Sequence, residues 1–349
     1  MFEPKIKQTI ETALTKGTPF ALFRLPGSHH FHLSEESNYR LLFNNFAEPF
    51  YKATDCSKYK DGVNIEAIAA TASENKYMDN LKILIDSLKD FPGYKTVLSR
   101  TITGFTDTSL IIDVATGYFS VNPDALCVLM QTSDRKIWIM ATPEILLQKK
   151  GCSFETMALA GTRHISDDDV PWDKKNIEEQ KVVSDYIAEI LNDKNLKFSM
   201  SEPFTLKSNN IEHICTLFKG CITGQEDIAS LVDALSPTPA VCGFPVEKAK
   251  GDIERLETHN RGFYAGYTVV ENQDGATQVF VNLRCACIDM RTGRYVIFVG
   301  GGITSASEPE HELYETRMKG ETLYKLLEQR KATTYTDTSI SYKNNHNIC

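Results

Sequence analysis

The stretch TQVFVNLRCACIDMRTGRYVIFVGGGI, residues 277–303, determines the fold class. Its two apolar runs, residues 277–290 and 294–303, predict two β-strands, and the MRTGR segment between them predicts a tight turn. The two strands would therefore pair as an antiparallel hairpin. Residues 309–327 follow with apolar positions at helical spacing, which predicts a helix with Ser307 as its N-cap.

The rest of the chain mixes helical and strand patterns without strict β-α-β alternation. Helical spacing covers residues 4–16, 77–88 and 173–191, whereas strand-like runs occur at PFALFRL (19–25), ALCVLMQ (125–131) and KIWIMAT (136–142). Such a mixture favours an α+β fold, with large antiparallel β-sheets flanked by helices, over a parallel α/β fold.

Composition narrows the function classes. The 349 residues are 42% hydrophobic and 24% charged, which is typical of a globular protein with a sizeable core. A net charge of -8 argues against a nucleic-acid partner, and no apolar run reaches the roughly 18–20 residues that cross a bilayer. The nine cysteines have irregular spacing, so we expect free thiols in the cytoplasm rather than a metal cluster.

Two charged segments could carry chemistry. In the helix predicted at 309–327, Glu312, Glu315 and Lys319 share one face beside the glycines at 300–302. Two carboxylates and a glycine-rich turn suit a hard divalent cation that holds an anionic ligand, although a solvated charged face is the alternative. Arg284 is expected in the middle of an apolar strand, where it must meet either an internal carboxylate or a substrate carboxylate.

Nine segments in a fixed order resemble a known family. They run from residue 90 to about residue 325: YKTVLSR, ATPEILL, LAGTR, KNIEEQKVV, SPTPAVCGFP, RGFYAG, VNLRCA, GGGI and ELYETRMK. Together they are similar to the chorismate-utilising enzymes, which include isochorismate, salicylate, anthranilate and aminodeoxychorismate synthases. The resemblance implies an anthranilate synthase component I-like fold. It also implies a chorismate-binding catalytic core at residues 91–330, an N-terminal α+β part of the same domain at 1–90, and a flexible polar tail at 331–349.

Three positions distinguish the branches of this family. Lys95 stands where the ammonia-using branches usually have Gln, and Ala160 stands where the aminodeoxychorismate branch tends to have a nucleophilic Lys. The segment SPTPAVCGFP resembles the HPTPAVGG segment of isochorismate synthases, although Ser236 replaces the usual His and Asn260 replaces an Asp nearby. We therefore expect an isochorismate synthase, with a salicylate synthase or a chorismate-binding sensor as alternatives.

The resemblance also implies a role for each matched residue. Lys95 would be the general base for water and Glu144 the general acid for the departing hydroxyl, on opposite sides of the substrate ring. Glu179 and Glu315 match the family's Mg²⁺ ligands, with Glu178 and Glu312 behind them. The expected contacts of chorismate are Gly161, Thr162, Tyr264, Arg284, Gly301, Gly302 and Lys319. We expect a monomeric, cytoplasmic enzyme whose product enters menaquinone or siderophore synthesis, with neither a membrane nor a nucleic acid as partner.

Overall fold

The structure is a computed structural model that describes residues 2–34, 38–91, 93–165, 170–208, 211–222 and 228–329. The tail expected at 331–349 lies outside the described residues. The helices are α1 (Pro4–Lys16), α2 (Ile65–Thr71), α3 (Glu74–Leu88), α4 (Ile111–Ser120), α5 (Lys174–Asp193), α6 (Ile228–Leu235), α7 (Val246–Leu256) and α8 (Pro309–Leu327). The strands are β1 (Phe20–Arg24), β2 (His32–Leu33), β3 (Tyr39–Asn44), β4 (Lys95–Phe105), β5 (Leu126–Gln131), β6 (Lys136–Thr142), β7 (Ile145–Lys150), β8 (Ser153–His164), β9 (Lys197–Met200), β10 (Phe204–Ser208), β11 (Ile211–Cys221), β12 (Gly243–Phe244), β13 (Tyr267–Asn272), β14 (Thr277–Val281), β15 (Cys285–Asp289) and β16 (Arg294–Ile303).

The strands form two antiparallel sheets. The first sheet has the order β12-β4-β16-β15-β6-β5-β1-β2. The second has the order β10-β11-β8-β7-β14-β13-β3, and β9 pairs with β11 beside β10. This arrangement confirms the expected α+β class. The domain division at residue 90 stays a prediction, although β1 and β3 show that the first ninety residues contribute a strand to each sheet.

The first sheet is buried on both faces. Along β6, Trp138 and Met140 belong to a core that also contains residues of the second sheet, such as Val279. The alternate residues Ile137 and Ile139 belong to another core, formed with helices α1, α4 and α8. Because side chains alternate across a strand, double burial requires apolar residues at successive positions. This explains why KIWIMAT is a continuous apolar run.

Several sequence predictions are confirmed to within a few residues. The hairpin predicted around MRTGR is the β15–β16 pair, and α1 and β6 have the bounds expected from the sequence. Helix α3 begins three residues earlier than predicted, at Glu74, because the Ser73 side chain caps it by accepting a hydrogen bond from the backbone N–H of Lys76. The described residues contain no helix that is both long and apolar enough to cross a membrane.

Two predictions are wrong. The run 277–290 is not one strand, because β14 ends at Val281 in the second sheet and β15 begins at Cys285 in the first. Arg284 therefore lies at a junction between the sheets, not in mid-strand, and its backbone has a φ of +51°. The expected N-cap of α8 is also wrong, because Glu308 occupies that position and the Ser307 hydroxyl accepts a hydrogen bond from the N–H of Thr304.

A buried ion pair fixes the segment after α7 against β4. The Glu257 carboxylate accepts hydrogen bonds from Nη2 of Arg261 at 2.6 Å and from the backbone N–H of Ser99 at 2.6 Å. Both charged side chains are only 2% exposed. Replacing Glu257 by Gln would leave the guanidinium buried without its counter-charge, so we expect the free energy of unfolding to fall by about 3–5 kcal/mol. Urea denaturation measures this, with Glu254→Gln on the exposed face of α7 as the control. Equal losses in the two variants would contradict the interpretation.

Candidate active site

The fold brings most of the predicted site residues to one pocket. Nine of the eleven line it: Glu144, Gly161, Thr162, Glu179, Tyr264, Arg284, Gly301, Gly302 and Lys319. The other two, Lys95 and Glu315, lie immediately behind this lining, where each forms an ion pair with a lining residue. The pocket therefore collects residues from both sheets and from helices α5 and α8.

Glu144 is a buried carboxyl group on the short connection between β6 and β7. It is 4% exposed, and its backbone carbonyl accepts a hydrogen bond from the N–H of Val281 at 3.0 Å. Burial raises the pKa of Glu144 to about 7, although the cations Lys95, Arg284 and Lys319 act in the opposite direction. A substantial fraction of this carboxyl group is therefore protonated near neutral pH and can donate a proton into the pocket.

Lys95 is the first residue of β4 and is 1% exposed. Its Nζ lies 2.9 Å from Oε1 of Glu179, an ion pair that is not aligned as a hydrogen bond. Among the described residues, no ion pair joins Lys95 to Glu144. Lys95 therefore pairs with Glu179, and the placement of Lys95 and Glu144 across a substrate ring stays a prediction.

His213 holds the Arg284 side chain in the pocket. Nη2 of Arg284 lies 2.8 Å from Nε2 of His213, and Nδ1 of His213 lies 2.9 Å from the carbonyl oxygen of Gly161. Burial, reinforced by the Arg284 charge, lowers the pKa of His213 to about 3, so the ring is neutral. This network assigns the proton to Nδ1, which donates to Gly161 and leaves Nε2 to accept from Arg284.

His213 was missing from the sequence-based set. The available signal was a polar residue within the apolar run IEHICTLF of β11, since a buried imidazole needs hydrogen-bond partners. The partner of His213 is Arg284, which lies 71 residues away in the sequence, so no local pattern indicates their contact. The backbone of Arg284 has a left-handed conformation, which is strained for a residue other than glycine. The Tyr118 hydroxyl stabilises this conformation by donating a hydrogen bond to the Arg284 carbonyl at 2.9 Å.

Gly161 shapes one wall of the pocket. Its φ is +73°, and a Cβ there would lie 3.2 Å from the side chain of Asn176. The next residue, Thr162, donates its backbone N–H to Oδ1 of Asn176 at 3.0 Å, which fastens β8 to the first turn of α5. Across the pocket, burial raises the pKa of Tyr264, and its ring stacks on Phe298 with centroids 5.6 Å apart. Tyr264 thus presents a protonated hydroxyl near Gly300.

Lysines and glutamates alternate where α5 meets α8. Lys319 contacts Glu315 at 2.7 Å and donates to the Gly300 carbonyl at 2.9 Å. Lys175 contacts Glu312 at 2.9 Å and Glu179 at 4.0 Å. Burial would lower the pKa of Lys175, but the surrounding carboxylates raise it above its ordinary value. Lys319 and Lys175, together with Lys95, therefore neutralise carboxylates.

The carboxylates are suited to a divalent cation. Oε2 of Glu312 is buried without a hydrogen-bond partner, and a Cβ on Gly301 would lie 3.2 Å from this oxygen and 3.5 Å from Oε1 of Glu315. A Cβ on Gly302 would overlap the Glu179 carboxylate. No three His, Cys, Asp or Glu side chains converge into a ready metal cage within the described part of the chain. Mg²⁺ needs only one or two carboxylates with water, so Glu179 and Glu315 fit it.

Three further sequence interpretations can be compared with the structure. Glu178 points away from the pocket, since it is 63% exposed and pairs with Lys174 at 3.5 Å. Ser236 is not a lining residue, whereas Ala240 and Val241 of the same segment are. Asn260 closes a turn by accepting a hydrogen bond from the N–H of Gly262 at 2.7 Å. The position expected for Glu178, behind the Mg²⁺ ligands, is therefore wrong.

The chain matches one family model and resembles named proteins. The model is described as "Chorismate binding enzyme" and matches residues 29–328. The isochorismate synthase DhbC of Bacillus subtilis (strain 168) is 31% identical over 208 residues, which are 56% of this chain and 52% of that protein. The matched segment therefore spans about half the length of this relative.

Solved structures share the fold. A putative 2,3-dihydroxybenzoate-specific isochorismate synthase, DhbC from Bacillus anthracis, superposes with a TM-score of 0.66 at 23% identity, over 93% of this chain and 88% of that chain. Anthranilate synthase component I from Streptococcus pneumoniae TIGR4 has a TM-score of 0.64 at 20% identity, over 72% and 58% of the two chains. At these identities the likeness concerns the fold, and the expected anthranilate synthase component I-like fold is confirmed.

Proposed function

Since the chain belongs to the chorismate-binding enzymes, we propose that it is an isochorismate synthase, an isomerase that adds water to chorismate while the ring hydroxyl leaves. The observation that carries the proposal is Glu144, a buried carboxyl group with a pKa of about 7 in a pocket that also contains two cations, Arg284 and Lys319. Hydroxide is a poor leaving group, so its departure needs an acid that is still protonated at neutral pH. The cations supply charge for an anionic substrate.

Lys95 is the proposed base. Water is a poor nucleophile, and a neutral amine can remove its proton during attack. In the structure Lys95 forms an ion pair with the Glu179 carboxylate. Lys95 can therefore act only when this pair is loosened. Lys95 is 1% exposed, so its amine is shielded from bulk water beside the pocket.

The substrate carboxylates are proposed to bind opposite the acid and the base. Arg284 offers a two-pronged donor, and Lys319 offers a point charge beside it. The backbone at Gly301 and Gly302 allows close approach because no Cβ intervenes. Thr162 and Tyr264 add hydroxyl groups at the pocket wall. Mg²⁺ held by Glu179 and Glu315 would supply further positive charge for a bound carboxylate.

Two neighbouring positions support water rather than nitrogen as the nucleophile. Ala160 lines the pocket with a methyl group, where the resemblance places a nucleophilic Lys in the aminodeoxychorismate branch. Lys95 stands where the ammonia-using branches usually carry Gln. We propose that the enzyme acts as a monomer, because one chain supplies the residues of the pocket. We also propose that it works in the cytoplasm, because its eight described cysteines are thiols. Its product would enter menaquinone or siderophore synthesis.

A chromatographic product assay tests the proposal. Purified protein is incubated with chorismate and Mg²⁺, and a parallel sample contains EDTA. We expect a mixture of chorismate and isochorismate that forms only with the metal. Salicylate and pyruvate would instead assign the salicylate branch. Binding of chorismate without any turnover would favour the sensor.

His213 provides a separate test of substrate binding. Replacing His213 by Leu removes the acceptor that orients Arg284, so we expect KM for chorismate to rise on the order of 10- to 100-fold, with a smaller change in kcat. In His213→Gln, the amide can still accept from Arg284 and donate to Gly161, so KM is expected to recover most of this loss. Steady-state kinetics measure both variants. Equal KM values for Leu and Gln would reduce His213 to a packing residue.

A further inference from the structure

Lys175 occupies the centre of the acidic cluster between α5 and α8. Its ammonium group lies 2.9 Å from Oε1 of Glu312 and 4.0 Å from Oε2 of Glu179. The negative charge of the Glu315 carboxylate also attracts this ammonium group. Lys175 is 25% exposed, whereas the Glu312 side chain is 3% exposed, so the lysine approaches buried carboxylates from the solvent side.

The helix dipole does not explain this lysine. Lys175 is the second residue of α5, whose first turn contains no acidic residue. The positive end of the helix dipole disfavours a cation at this position. Its neighbour Lys174 points outward and is 89% exposed. The favourable contacts of Lys175 are thus those with the cluster.

The carboxylates of the cluster are balanced in charge by lysines, but one carboxylate oxygen has no hydrogen-bond partner. Glu179, Glu312 and Glu315 face Lys95, Lys175 and Lys319 respectively, at 2.9, 2.9 and 2.7 Å. Despite this balance, Oε2 of Glu312 is buried without a hydrogen-bond partner. One ammonium group therefore leaves a carboxylate oxygen without a partner. A divalent metal ion, which binds several oxygen ligands at once, could use such oxygens.

The three lysines differ in how firmly they are held. Lys95 is 1% exposed, and Lys319 also donates to the Gly300 carbonyl, so both are tied to the pocket. Lys175 instead borders a groove with Asp173 and His311 that opens to solvent, so its long side chain can leave the cluster. We propose that Lys175 is a resident counter-cation that competes with the divalent metal and thereby sets its affinity in the substrate-free protein. This inference rests on the proposed metal dependence, but its test needs no turnover.

Binding of Mn²⁺ to the full chain without chorismate tests the proposal. The free-ion signal in electron paramagnetic resonance gives the affinity for the wild type, Lys175→Met and the control Lys174→Met. We expect Lys175→Met to bind Mn²⁺ at least about tenfold more tightly, because no ammonium group has to be displaced, and Lys174→Met to match the wild type. Adding Glu312→Gln to Lys175→Met should remove most of the gain, which assigns it to this cluster.

Thermal denaturation gives a second readout. Without metal, Lys175→Met should melt below the wild type because three carboxylates share one cation fewer, and Mn²⁺ should raise its Tm more than that of the wild type. Lys175→Gln, which keeps a donor for Glu312, should change metal affinity in the same direction if the Met variant fails to fold. Unchanged or weaker Mn²⁺ binding in both variants, or no binding in any protein, overturns the proposal. Absence of isochorismate in the product assay, with the affinity gain intact, would overturn the proposed function alone.

Discussion

Replacement of Lys95 by Ala is expected to lower kcat by about 10²- to 10⁴-fold, because the attacking water then loses its base. Product formation from chorismate under saturating Mg²⁺ measures the loss. Addition of a small primary amine such as ethylamine should restore part of the activity, since the truncated side chain leaves space for it. Activity regained with the amine would show that the variant is folded and lacks only the proton acceptor.

A second substitution controls for the ion pair. Lys95→Ala leaves Glu179, which is only 10% exposed, with Lys175 at 4.0 Å as its remaining ion-pair partner in the described part of the chain, so some stability is also lost. Lys95→Arg keeps a positive charge for Glu179, but a guanidinium does not lose its proton in proteins. We expect Lys95→Arg to melt near the wild type and to be as inactive as the Ala variant. An active Lys95→Arg enzyme would show that Lys95 is not the base.

Replacement of Glu144 by Gln is expected to lower kcat by about 10²- to 10⁴-fold, because an amide cannot protonate the leaving hydroxyl. The wild-type rate should also fall as the pH rises through about 7, where this carboxyl group loses its proton. A pH–rate profile measures this limb, which should disappear in the residual activity of Glu144→Gln. The control is Glu178→Gln, at an exposed position that pairs only with Lys174 among the described residues. A wild-type limb that persists in Glu144→Gln would assign the acid to another group.

Stability gives an independent check on the same carboxyl group. Its folded pKa of about 7 exceeds the ordinary value of 4.5, so its contribution to folding is fully present below about pH 4.5 and is lost as the pH rises through 7. A shift of this size corresponds to roughly 3 kcal/mol at alkaline pH. Urea denaturation should therefore show the stability of Glu144→Gln rising relative to that of the wild type between about pH 4.5 and pH 7.5, with no further change at higher pH. A constant difference across this range would argue against the raised pKa.

Much of the architecture could be predicted from local patterns. The KIWIMAT strand, the helix at 4–16 and the β15–β16 hairpin depend on apolar spacing and turn residues that lie within a few positions of one another. The run 277–290 resembles one strand because the three residues that change sheets, 282–284, lie between two strand-forming apolar stretches. Asn282 marks this crossover only through distant contacts, such as the hydrogen bond from the N–H of Ala265 to its carbonyl at 2.8 Å.

The sequence by itself determined the residue types of the site and, through nine ordered segments, the family whose model matches residues 29–328. Only the tertiary structure decided which of these residues meet. The pairing of Lys95 with Glu179 and the contact of Arg284 with His213 join positions that are 84 and 71 residues apart. Local propensity carries no information about such contacts, because they arise when two sheets and two helices pack around one pocket. The same packing removes water from Glu144 and so creates its raised pKa, a property that no short stretch of sequence contains.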